Sequence, residues 1–181
     1  DEHEETWRGH DALAEGSSLG FGLRPLEQSL QRQTRLLTDR VIARYRTGNA
    51  VVWEPEWASA RQALVRASAS SRGDSYLRAS LRYSDGHIYR INGEARKTRR
   101  ENEDAQRHFA HAVTAFREAA ELRPDWPDPF LGLMRTFLYG LEDVDRGADA
   151  LKQAQRRNYT PGEREMLLLA HAYWRRAESL A

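Results

Sequence analysis

His108 and His111 stand three residues apart. On a helix that spacing sets both imidazoles on one face, where they would share a metal ion. Glu101 and Asp104 lie on nearby turns, but such carboxylates belong more often to a solvated helix face, and the spacing supplies no definite third ligand. His3 and His10 lie among Asp1, Glu2, Glu4 and Glu5 and read as part of an acidic tail. Glu142, Asp143 and Asp145 crowd one loop without the glycine placement and terminal glutamate of a calcium loop. Arg96, Lys97, Arg99 and Arg100 form a basic cluster suited to phosphates or an acidic membrane. Glu101, Glu103 and Asp104 follow at once and cancel most of its field within a screening length of ~8 Å. No nucleophile elbow, Gly-rich phosphate loop or H-E-x-x-H motif is present. Gly132, Gly140 and Gly147 are too scattered to cradle phosphate, and Ser68 to Ser71 is a polar break. Cysteine is absent, which removes disulfides, thiolate metal sites and cysteine nucleophiles. The expectation is a non-enzyme with no cofactor and no metal.

A chain of 181 residues is one medium domain or a short repeat array. Its 40% hydrophobic residues suffice for a core, and 30% charged residues with a net charge of +1 argue against disorder. The same balance argues against a dedicated nucleic-acid binder, which would carry a basic excess. Lysine occurs only at Lys97 and Lys152, so arginine carries nearly all the positive charge, as in proteins from high-GC bacteria. No apolar run approaches the ~20 residues of a membrane span. The sequence opens on Asp1, without an initiator methionine or a signal peptide. It therefore reads as a processed protein or a fragment of a larger chain, on the cytoplasmic or periplasmic side of a bacterial cell.

The elements follow from periodicity. Residues 1–24 form a lead-in or linker, with Trp7, Leu13, Leu19 and Phe21 available to pack on the first helix. A repeat domain spans 25–181. Pro25 opens a helix marked by Leu26, Leu30, Leu37, Val41 and Tyr45, closed by Thr47-Gly48-Asn49. Residues 50–53 form an apolar connector. Pro55 opens the next helix, faced by Trp57, Ala60, Leu64 and Ala67. Asp74 or Ser75 caps a third, with Tyr76, Ala79, Ser80 and Tyr83 inward. Its spacing continues past Gly86 to Tyr89 or Ile91, and Asn92-Gly93 reads as a stop. The hydrophilic segment 94–104 then projects as a charged tip before a helix through Phe109, Val113 and Phe116. Pro124 ends that helix, because the residue before a proline is pushed out of the α region. Phe130, Leu133, Met134 and Phe137 mark another helix, Gly140 to Asp145 a loop, and Gly147, Leu151 and Ala154 a further helix. After the turn at Tyr159 to Gly162, Met166, Leu169, Ala170 and Tyr173 mark the last.

Ala112, Phe116, Ala119 and Pro124 form the A-x3-F…P signature of a second repeat helix, and the sequence resembles the tetratricopeptide repeat family. Ala60, Leu64 and Ala67 repeat the same spacing with leucine for phenylalanine. The residues at 76–83, 130–137 and 166–173 resemble the family's first-helix pattern. The resemblance covers residues 74–178 well and 25–71 weakly. It implies an all-α fold of antiparallel helix pairs, at about 25–71, 74–122 and 127–157, with a terminal helix at 161–178. These pairs would stack into a right-handed superhelix. Tyr83 lies far upstream of Ala112, so the second pair is expected to have extended helices.

The resemblance also implies a concave groove, lined by first helices, that holds a peptide or partner helix. Its positions would be Leu77 and Leu81, then Leu131, Arg135, Leu138 and Tyr139, then Leu167, His171, Trp174 and Arg175. The lysines and asparagines with which the family's best-known members clamp a C-terminal carboxylate are missing. The groove would suit an apolar peptide carrying negative charge, since arginine pairs bidentately with carboxylates. Several of these leucines and aromatics would equally serve as packing against a neighbouring helix. The expected function is a protein-interaction module or assembly scaffold. Alternatives are a ligand-sensing or regulatory fragment of a membrane-anchored protein, which would show a closed pocket, and a homodimerisation domain using Leu167, Leu168 and Trp174.

Overall fold

The computed structural model describes residues 24–47, 53–71 and 73–180, together with Arg8. The expected lead-in at 1–24 and the connector at 50–53, apart from Arg8, Arg24 and Trp53, therefore lie outside the described residues. Among those residues there are seven α-helices and one π-helical turn, and no strand. The helices are α1 (Arg24–Thr47), α2 (Glu54–Ser70), α3 (Ser75–Thr98), α4 (Asn102–Leu122), α5 (Asp128–Arg135), α6 (Val144–Gln155) and α7 (Glu163–Glu178). The π turn, Thr136–Gly140, prolongs α5. Each helix packs against the next, so the chain is all-α and built of packed helix pairs. The odd-numbered helices also meet one another: α3 touches α5 and the π turn, and the π turn touches α7.

Local chemistry fixes the helix starts. Asp74 caps α3 by accepting from the Leu77 amide at 3.2 Å, and Asp143 caps α6 by accepting from the Arg146 amide at 2.9 Å. Glu56 and Glu165 reach back to the amides of Trp53 and Gly162, each at 2.9 Å. Pro55 and Pro129 sit in the first turns of α2 and α5, where a missing N–H leaves nothing unpaired.

Two rings of α4 set the spacing of three helices. Phe116 lies between Gly86 of α3 and Gly132 of α5; a Cβ on either would come within 2.6 or 2.5 Å of it. Phe109, two turns earlier, lies in the same way between Gly93 and Gly140, with Cβ approaches of 2.6 and 2.7 Å. Gly86 and Gly93 are one heptad apart, matching the heptad from Phe109 to Phe116. Gly132 and Gly140 are one residue further apart, because the π turn inserts a residue into the same rise. That insertion keeps Gly140 opposite Phe109. Ala112 and Ala119, which flank Phe116 on the same ridge, are fully buried.

These contacts correct three expectations. Asn92-Gly93 does not stop α3, which runs on to Thr98, because Gly93 is there to admit Phe109. The segment 94–104 is not a projecting tip: α3 and α4 are both extended, and only residues 99–101 turn between them, with Arg100 at φ 65°. Lys97 ties this end down, donating to the carbonyls of Tyr139 (2.9 Å) and Gly140 (3.2 Å) and to Glu142 (2.8 Å). In α1 the inward face is Leu30, Thr34, Thr38, Ile42 and Tyr45, whereas Leu37 is exposed. The buried hydroxyl of Thr38 is satisfied by the Thr34 carbonyl at 2.8 Å, so a polar residue sits at a core position without an orphaned group.

Candidate functional site: a cationic rim over an aromatic floor

The centre of the fold is an aromatic cluster. Trp57 stacks on the buried imidazole of His87 at 4.1 Å with 8° between the planes. Tyr45, Tyr83 and Phe116 meet the same imidazole edge-on at 4.3, 4.5 and 5.1 Å. Trp126, from the turn after α4, closes over Tyr83 at 4.8 Å. Arg123 is held between the Trp126 and Tyr76 rings.

Polar groups from all four odd-numbered helices border this cluster. Arg90 of α3 is buried and donates to Glu94 at 2.6 Å and to Nδ1 of His87 at 3.5 Å. A guanidinium only donates, so Nδ1 accepts and the imidazole proton sits on Nε2, which has no hydrogen-bond partner among the described residues. Burial, then Arg90, Arg135 and Arg164, push the His87 pKa well below its ordinary value, so the ring is neutral. Arg135 of α5 shares Glu94 with Arg90, its Nε lying 3.9 Å from the carboxylate and making no hydrogen bond. Burial opposes the Arg135 charge, yet Tyr45 and Glu94 carry its pKa above the ordinary value. Arg164 of α7 donates to the Tyr45 carbonyl at 2.9 Å and to Glu165 at 3.0 Å. Asp128, at the start of α5, is fully buried and chelated by Arg46 of α1.

Further along the same layer, Glu142 accepts from Lys97 of α3 and Arg175 of α7 at 2.8 and 2.9 Å. The Lys97 hydrogen bond and then, past the opposing cost of partial burial, that of Arg175 hold its pKa below the carboxylate range. Five cations (Arg90, Lys97, Arg135, Arg164 and Arg175) are thus tied to three carboxylates (Glu94, Glu142 and Glu165). The face has a cationic excess, and Arg135 is the member farthest from its carboxylate, at 3.9 Å.

The expected groove residues divide into three groups. Leu131 and Leu138, like Leu77, are buried in the core and closed to a partner; Leu138 packs on Gly147, where a Cβ would lie 2.3 Å from it. Arg135 and Tyr139 form a half-buried rim, joined by the exposed His171 and Arg175. Leu167 and Trp174 are exposed on α7, on the side away from its packing contacts. Sequence reading missed His87, Arg90, Glu94 and Asp128. It also failed to locate the buried polar cluster that they form. A buried carboxylate directly before Pro129 and an arginine one turn after a histidine were the signals available.

Of the side chains first weighed for metal chemistry, His3 and His10 lie outside the described residues. His108 and His111 flank the Tyr89 ring at 6.2 and 5.2 Å, and no three metal-ligating side chains converge among the described residues. Asp143 caps α6 and Asp145 pairs with Arg176 at 2.9 Å. An open trough of about 550 Å³ lies between α2 and α3, with the Arg61–Asp85 ion pair (2.6 Å) among its lining and Val65 and Tyr89 exposed in it. No described helix is long and apolar enough to cross a membrane.

No protein-family model matches the chain, and no match is found among curated proteins or among solved structures.

Proposed function

We propose that the chain is a tetratricopeptide-like helical-repeat domain whose odd-numbered helices hold a partner peptide or helix. In this reading it is a non-catalytic protein-interaction module or assembly scaffold, and the preferred partner carries carboxylates among apolar side chains. The observation that carries the reading is the sharing of one carboxylate, Glu94, by Arg90 and Arg135. An incoming Asp or Glu side chain would pair with the partly exposed guanidinium of Arg135, while Tyr139 offers apolar contact beside it. Repeat architecture is supported by the Ala112–Phe116–Ala119 ridge and by the contacts between odd-numbered helices.

Catalysis gains no support from the buried polar cluster. His87 is walled in by four aromatic rings, and both oxygens of Asp128 are occupied by Arg46. A ligand-sensing role would draw on the trough between α2 and α3, which is open rather than closed. The test is a peptide array of about a dozen residues per spot, varying acidic, basic and apolar content. Selective capture of acidic-apolar peptides supports the reading; equal capture of basic ones contradicts it.

A further inference from the structure

The outward face of α7 carries an unusual concentration of apolar surface. Met166, Leu167, Tyr173 and Trp174 are 54, 61, 47 and 56% exposed. The helix is held to the rest of the fold by its other side, through Glu165, Leu168, Leu169 and Ala172. The expectation that Met166, Leu169, Ala170 and Tyr173 point inward therefore holds only for Leu169, because α6 and the π turn lie on the opposite side of the helix.

This face has a symmetry of its own. Met166 and Leu167 precede Ala170 by the same intervals at which Tyr173 and Trp174 follow it, so the spacing is identical read from either end. Glu163 and Ala177 extend the same stripe by one more turn each way. We propose that this face pairs with the same face of a second copy of the chain, the two α7 helices crossing antiparallel at Ala170. The small alanine lets the helices approach, and the large residues of each copy flank the alanine of the other. Met166 then meets Trp174 of the partner subunit, and Leu167 meets Tyr173 of the partner subunit. Charge selects the antiparallel sense. Acidic Glu163 lies in the first turn, and Arg175 and Arg176, although paired with Glu142 and Asp145 of their own chain, make the last turn basic. A parallel pair sets like charges together, whereas an antiparallel pair sets Glu163 beside the basic end of the other copy. Opposed helix dipoles favour the same arrangement. Half-exposed side chains of this size offer ~100 Å² each. With Ala170, Ala177 and their neighbours, the two copies would bury ~1,000 Å², the lower bound for a specific interface. The pairing does not rest on the peptide reading, although it would bury Leu167 and Trp174 of the expected groove and border His171, whose ring lies 5.8 Å from that of Trp174.

Size exclusion coupled to light scattering, on residues 1–181 at about 50 µM, tests the proposal. Twice the chain mass of 20.9 kDa is expected. Ala170→Glu, at an exposed position, is expected to give the monomer mass with unchanged circular dichroism. The chain has no cysteine, so engineered ones report geometry cleanly. Ala170→Cys should form a disulfide with its own copy on mild oxidation, and Glu163→Cys should not. A monomeric wild type, which would leave the face to another partner, overturns the proposal. So does a dimer indifferent to Ala170→Glu, or self-crosslinking of Glu163→Cys, the signature of a parallel pair.

Discussion

The Phe116 ring occupies the volume that a side chain on Gly132 would need: a Cβ there would lie 2.5 Å from ring carbon Cε1. An alanine in a helix interior ordinarily gains ~1 kcal/mol over glycine. Here the overlap dominates, because the ring is also held from the other side by Gly86. Gly132→Ala should therefore destabilise the fold by ~1–3 kcal/mol, the usual range for overpacking. Gly73→Ala, with open space around it, is the control and should stay within ~0.5 kcal/mol. Urea denaturation midpoints read both, and equal stability of the two variants would count against the close packing described.

His87 makes stability depend on pH. Burial, followed by the charges of Arg90, Arg135 and Arg164, lowers its folded pKa well below the unfolded value. The unfolded chain therefore binds the proton more readily, and stability that is fully present above pH ~6.5 is lost as pH falls below it. The limiting slope is ~1.4 kcal/mol per pH unit. His87→Phe preserves the stacking on Trp57 and should flatten the profile between pH 6.5 and 5. A variant as acid-sensitive as the wild type would show that other groups carry the dependence.

Lys97 closes the exposed end of the π turn by donating to two carbonyls that the turn leaves open. Lys97→Met should cost ~1–2 kcal/mol. It should also raise amide hydrogen exchange at Gly140 and Leu141 more than in α2. Uniform exchange along the chain would refute a local role.

Arg46 answers a carboxylate buried in the heart of the fold. Removing it by Arg46→Ala strands Asp128; partial exposure of Arg46 reduces the cost from the ~3–5 kcal/mol of a fully buried pair to ~2 kcal/mol. Adding Asp128→Asn should recover part of that loss. A double variant less stable than Arg46→Ala alone would argue that Asp128 has another partner of greater weight.

Where side chains are apolar and close in sequence, the fold was legible. The ridge at Ala112, Phe116 and Ala119, the stop before Pro124 and the Asp74 cap each depend on residues within two turns. The extended second pair could be inferred from apolar spacing that persists past Tyr83. The site was less visible, because its members are polar and distant in sequence. Arg46 and Asp128 are separated by 82 positions, and Arg164 reaches the Tyr45 carbonyl across 119. Thr34 and Thr38 look like surface residues until the hydroxyl–carbonyl bond that lets Thr38 be buried is known. Gly93 follows an asparagine and so resembles a helix end; only the approach of Phe109 from the next helix reveals its reason.

Arg135 is proposed to anchor an acidic, partly apolar partner on the face of the odd-numbered helices. The most direct measurement is the fluorescence anisotropy of the best acidic peptide from the array, titrated with wild type and with Arg135→Gln. About tenfold or greater weakening is expected in the variant, equivalent to ~1.4 kcal/mol, with affinity that falls as salt rises. Equal affinity for the two proteins, at low and high salt alike, would contradict it.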